Sequence, residues 1–136
     1  VRSALSFVFV LQSFCLLASA GGGSRLASPS VPATFTLKPG QTASIQGIDV
    51  TFRQVVSDSR CPINALCIWA GDATIAFSVR ALGQDARHDL QLAEPAKRTV
   101  AVRQFILELQ DLQPYPVAGQ PPDADSYRAT ISHQVI

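Results

Sequence analysis

The chain has 136 residues, 47% of them hydrophobic and 15% charged, with 11 basic against 10 acidic side chains. That length holds one ordinary domain. Near-neutral charge with no long run of one sign argues against nucleic acid or an anionic membrane as partner, since both need concentrated Lys and Arg.

The N-terminus reads as an export signal. Arg2 precedes a mostly apolar stretch over 4–18, and Ala18-Ser19-Ala20 follows as a small-x-small cleavage site. Residues 1–20 are therefore expected to be a signal peptide. A transmembrane anchor is the competing reading, but Gln12 and Ser13 interrupt a run already short of the roughly 20 residues a span needs. Cys15 invites a lipid-attachment reading, yet Gln12-Ser13-Phe14 before it lack the small residues such a site wants. Without the signal and its Arg2, 10 basic residues face 10 acidic ones. No strong membrane binding is expected of such a chain. Residues 21–32 are small and polar and cannot bury enough apolar area to order themselves, so they read as a flexible linker. The domain is expected over 33–136.

Within it, Phe35 and Leu37 share one face of a short strand. Pro39-Gly40 fits the middle of a type II turn, with Pro setting φ at the first central position and Gly accepting positive φ at the second. Ala43 and Ile45 continue beyond it, and Gly47 breaks the run. Ile48, Val50 and Phe52 alternate with Asp49, Thr51 and Arg53, the pattern of a half-buried strand. Ala73, Ile75, Phe77 and Val79 repeat the pattern. Gly83-Gln84-Asp85 reads as a turn, and Leu90 and Leu92 as a short strand closed by Glu94-Pro95. Over 99–110 the parity slips: Val100 and Val102 share one face, while Phe105, Leu107 and Leu109 share the other. Either a bulge lies near Arg103-Gln104 or a strand begins there. A helix over 102–112 competes, because Phe105, Leu109 and Leu112 have helical spacing, but caps are missing. Residues 117–125 form a loop, and Tyr127, Ala129, Ile131 and Val135 mark a last strand. The whole predicts an all-β fold, an antiparallel two-sheet sandwich of about seven strands, immunoglobulin-like or related.

Between the strands expected around 48–52 and 73–79 lies the stretch 57–72, with the only two cysteines outside the N-terminal segment and the only tryptophan. In an exported chain Cys61 and Cys67 should be oxidised. Closing so small a ring restricts the unfolded chain, a stabilisation of about 2–2.5 kcal/mol on the loop-entropy estimate. Asp58 and Ser59 can accept backbone N–H bonds, and Arg60 can pair with Asp58 or Asp72. Trp69 shares parity with Gly71, Ala73 and Ile75, which predicts an indole packed in the core beside the disulfide. Gly71 leaves room for a bulge or a close backbone approach.

Other chemistries for this stretch are weaker. A redox dithiol wants Cys-x-x-Cys at a helix start. Cys61, Cys67, His88 and His133 have the count for zinc but no tight ligand spacing. A ligand pocket between loops is a further option. A stiff ring presenting Arg60, Ile63, Asn64 and Leu66 would lose little entropy on binding and suits a partner's cleft, including a protease's.

Elsewhere the signals are thin. There is no Gly-x-Ser-x-Gly, and His88 and Asp89 should point to opposite faces of a strand. His133 is expected inside and hydrogen-bonded. Asp111, Asp123 and Asp125 lack the ordered spacing of a calcium loop. Tyr115 and Tyr127 read as core or corner tyrosines whose hydroxyls need partners. No catalytic residue, metal ligand or cofactor is expected.

The pattern Asp58-Ser59-Arg60-Cys61-Pro62 followed by Cys67-Ile68-Trp69-Ala70-Gly71 resembles a family of small exported bacterial proteins of unassigned function. Leu109-Gln110-Asp111-Leu112-Gln113-Pro114-Tyr115-Pro116 and Tyr127-Arg128-Ala129-Thr130 resemble two further segments of that family. The resemblance covers roughly 35–135. It implies a secreted or periplasmic β-domain, often lipid-anchored, and this chain departs from it in having no lipid-attachment Cys at the end of its signal. It implies no activity. The sequence as a whole predicts an exported, periplasmic or secreted, non-enzymatic domain that binds a protein or envelope partner through the disulfide-closed loop. A purely structural envelope protein and a protease-inhibitor-like module are the alternatives, with a small hydrolase or redox protein behind them.

Overall fold

The computed structural model describes residues 33–136. The expected signal peptide and linker lie outside the described residues. Eight strands form two antiparallel sheets: β1 (Ala33–Leu37), β2 (Thr42–Ile45), β3 (Ile48–Asp58), β4 (Ala73–Ala81), β5 (Gln84–Gln91), β6 (Thr99–Val102), β7 (Phe105–Gln113) and β8 (Arg128–Val135). One sheet runs β1-β8-β7-β6 and the other β2-β3-β4-β5. Only two short 3-10 turns, Pro95–Lys97 and Ala124–Ser126, interrupt the strands among the described residues. Together the two four-stranded sheets make a β-sandwich of eight strands. Each sheet is largely a run of sequential hairpins, with chain crossings only after β1 and after β5.

Alternation decides the interior. Ile48, Val50 and Phe52 from β3, Ala73, Ile75, Phe77 and Val79 from β4, and Leu90 from β5 form one inner face. Leu37, Phe105, Leu107, Leu109, Leu112, Ala129 and Ile131 form the other, and the two close on a single core. Phe52 and Phe77 sit opposite each other across β3 and β4, their ring centres 5.5 Å apart.

The parity slip over 99–110 is a hairpin. Val102 pairs with Phe105, and Arg103 takes a positive φ of 55° in the two-residue turn between them. The helical spacing of Leu109 and Leu112 has a different origin. The β7–β8 register shifts between Leu109 and Asp111, so Gln110 is an extra residue and both leucines return to the core. The turn expected at Gly83-Gln84-Asp85 is tighter than that. Leu82 and Gly83, with φ of 52° and 74°, make it alone, the mirror-image geometry that matches strand twist. Gln84 and Asp85 already belong to β5, which is longer than the strand expected around Leu90 and Leu92. The Pro39-Gly40 turn closes as expected, with the Gln41 amide donating to the Lys38 carbonyl at 3.0 Å.

Candidate functional site

The β3–β4 hairpin does not stop where the sheet stops. The Ser59 amide donates to the Asp72 carbonyl at 2.7 Å, and the Cys61 amide to the Ala70 carbonyl at 2.9 Å. Both continue the register that pairs Asp58 with Ala73. Cys61 and Cys67 are bonded to each other, their Cα atoms 5.9 Å apart. The disulfide therefore closes the tip of one long hairpin that projects beyond the sandwich.

Three devices hold that tip. At its base, Arg60 Nε and Nη2 each donate to a carboxylate oxygen of Asp58 at 2.8 Å, while Nη1 and Nη2 donate to the Leu112 and Pro114 carbonyls at 2.6 and 2.9 Å. The Tyr127 hydroxyl donates to Asp58 Oδ2 at 3.0 Å. The guanidinium lies 4.7 Å from the Tyr115 ring centre. Arg60 and Asp58 side chains are 5% and 9% exposed, so this bidentate pair is buried and ties the hairpin to the opposite sheet. Along the side, the Ile63 amide donates to the Pro116 carbonyl, and the Ala118 amide donates to Asn64 Oδ1. At the neck, Gly71 takes a φ of 71°, and a Cβ there would overlap the Ser59 carbonyl oxygen.

The electrostatics of the base follow from its burial. Burial is the largest influence on Asp58 and pushes its carboxyl up. Hydrogen bonds and charge from Arg60, with the Tyr127 hydroxyl, outweigh it and hold the carboxyl below its ordinary value. Burial likewise pushes the Arg60 guanidinium down, and Asp58 more than offsets it. The Tyr127 phenol is raised, first by burial and then by its bond to Asp58.

No family model matches the chain, and neither a curated protein nor a solved structure matches it. On this rigid support Ile63, Leu66, Ile68 and Trp69 are 71%, 105%, 94% and 81% exposed. The run from Cys61 to Gly71 contains no charged side chain. A shallow groove of about 180 Å³ lies alongside, lined in part by Cys61, Ala70, Leu92 and Tyr115.

Trp69 does not pack into the core, because parity names a side of the ribbon, whereas this part of the ribbon lies past the facing sheet. The positive φ at Gly71 breaks the extended alternation as well. Arg60 is not a presented binding residue, because its donors are spent on Asp58, on the Leu112 carbonyl in β7 and on the Pro114 carbonyl just beyond it. Ile63, Asn64 and Leu66 are exposed as expected, Asp58 and Tyr127 support the base, and Tyr115 is partly exposed over Arg60 rather than in the core. Ile68 escaped sequence reasoning. Its signal was its place beside Trp69 in a charge-free run.

The other candidates stay apart. Asp89 is taken by Arg87 at 2.9 Å, and His88 lies on β5, an edge strand. His133 sits between Phe35 and Phe105, and its buried Nδ1 lacks the partner expected of it. Asp111 accepts from the Gln113 side chain at 2.8 Å. Among the described residues no three His, Cys, Asp or Glu side chains are grouped to hold a metal ion, and no helix is long and apolar enough to cross a membrane.

Proposed function

We propose that this is an exported, non-enzymatic β-sandwich whose disulfide-closed hairpin tip docks into an apolar cleft of a protein partner in the cell envelope. The observation that carries this reading is the exposure of Leu66, Ile68 and Trp69 on a loop closed by the Cys61–Cys67 disulfide and tied by hydrogen bonds to the β7–β8 connection. Exposed apolar side chains on a preorganised loop lose little conformational entropy when covered, and a central tryptophan is a frequent energetic anchor of interfaces. The absence of charge from Cys61 to Gly71 favours a protein cleft over an anionic lipid surface. Export is supported by the disulfide, which persists in oxidising compartments, and by the resemblance to small exported bacterial β-domains. The protease-inhibitor alternative is less favoured. The Ala65 amide closes a turn onto the Pro62 carbonyl, where a substrate-like loop wants an extended backbone.

The test is capture from envelope extract by the immobilised protein, wild type against Leu66→Ser/Trp69→Ser. Proteins retained by the wild type and lost by the double variant are expected. An identical retained set would remove the tip as the docking surface.

A further inference from the structure

We infer that the outer face of the β2-β3-β4-β5 sheet carries a second site, for the oxyanion group of a small ligand, between Arg53 and Arg87. It is independent of the hairpin tip. A depression of about 300 Å³ on that face is lined by Gly40, Thr51, Arg53, Gln54 and Arg87. Its geometry comes from a bulge. Phe52 pairs with Phe77 and Gln54 with Ala76, so Arg53 is the extra residue. In a regular strand Arg53 and Gln54 would face opposite ways. Here both line the same depression, while Phe52 stays buried beneath. On the neighbouring strand, Ser78 lies between Thr51 and Arg87 in the cross-strand row, and its small side chain leaves room between them.

The charge in the depression is unbalanced. Asp89 accepts from Arg87 Nε and Nη2 at 2.9 and 3.4 Å, which leaves Arg87 Nη1 without a partner among the described residues. Arg53 has no carboxylate within salt-bridge distance among the described residues. Two guanidinium groups with one carboxylate between them suit an oxyanion that accepts from both sides, with the Gln54 amide as a third donor. Arg53 and Gln54 also line a neighbouring depression that contains Asp125. There one guanidinium meets one carboxylate, whereas on the Arg87 side two guanidinium groups share the single Asp89 carboxylate, so the excess positive charge lies on that side.

Carboxylates and phosphates share this chemistry, and titration tells them apart. Sodium phosphate and sodium acetate would be added separately to the full chain at constant ionic strength, with sodium chloride as reference, while arginine Nε–H and backbone amide signals are followed by NMR. Saturable shifts at Arg53, Arg87, Thr51 and Gln54 are expected for at least one oxyanion, and the tighter of the two names the group. Arg53→Gln and Arg87→Gln should each weaken that binding by about 10-fold or more. Arg103→Gln, at an exposed turn, should leave it unchanged. Both site variants replace exposed side chains, so their thermal midpoints should stay near wild type. Shifts matched by chloride, or equal weakening by Arg103→Gln, would overturn the site.

Discussion

Asp58 is where the two sheets and the hairpin are tied together. Its carboxylate receives Arg60 and Tyr127, and Arg60 reaches on to the Leu112 and Pro114 carbonyls. Replacing one member of a buried pair strands the other, so Asp58→Asn should cost about 3–5 kcal/mol in urea unfolding at neutral pH. The sequence offered Arg60 either Asp58 or Asp72 as a partner. It did not make Arg60 a buried residue, because the carbonyls that absorb its remaining donors come from the end of β7 and the residue just past it, about fifty positions later. Gly71 is the second such residue. Gly71→Ala should destabilise by at least about 1–3 kcal/mol, since a side chain there must adopt a left-handed conformation and also meets Ser59. A Gly71→Ala midpoint equal to wild type would mean the neck relaxes freely.

The hairpin is the element on which function is argued, and it separates stability from recognition. Trp69→Ala should change unfolding free energy by less than about 0.5 kcal/mol, because the indole is largely solvent-exposed. The same variant should lose envelope partners in the capture assay. A loss of several kcal/mol would put the indole back in the core, where the sequence had placed it. Joint replacement of Cys61 and Cys67 by Ala should cost about 2–2.5 kcal/mol, the entropy of the closed ring. The ends of the hairpin should stay paired in that variant through Ser59–Asp72 and Cys61–Ala70, which amide exchange would show.

At the scale of the molecule, the sandwich was legible because alternation was clean wherever a facing sheet exists. Ile48, Val50 and Phe52, or Ile75, Phe77 and Val79, announced their faces and kept them. It failed where local geometry changes the count. The extra residues Arg53, Val56 and Gln110 are invisible to a two-residue period, and the last of them mimicked a helix. The candidate site was legible as a ring but not as a projection, since no short pattern tells where the opposite layer ends. The buried pair also gives the whole domain a pH profile. Asp58 has a depressed folded pKa, so its stabilisation is present above the unfolded carboxyl value and is lost as pH falls through the folded one. Tyr127 has a raised folded pKa, so its share is present below the unfolded phenol value and is lost as pH rises through the raised one. Urea midpoints should therefore fall on both the acid and alkaline sides, and Asp58→Asn should flatten the acid side.

The bonds from Ile63 to Pro116 and from Asn64 to Ala118 carry one more consequence. Whatever grips the tip also pins the stretch leading into β8. Its footprint in limited proteolysis should extend to the bonds between Val117 and Asp123, as protection recorded at a distance from the contact itself.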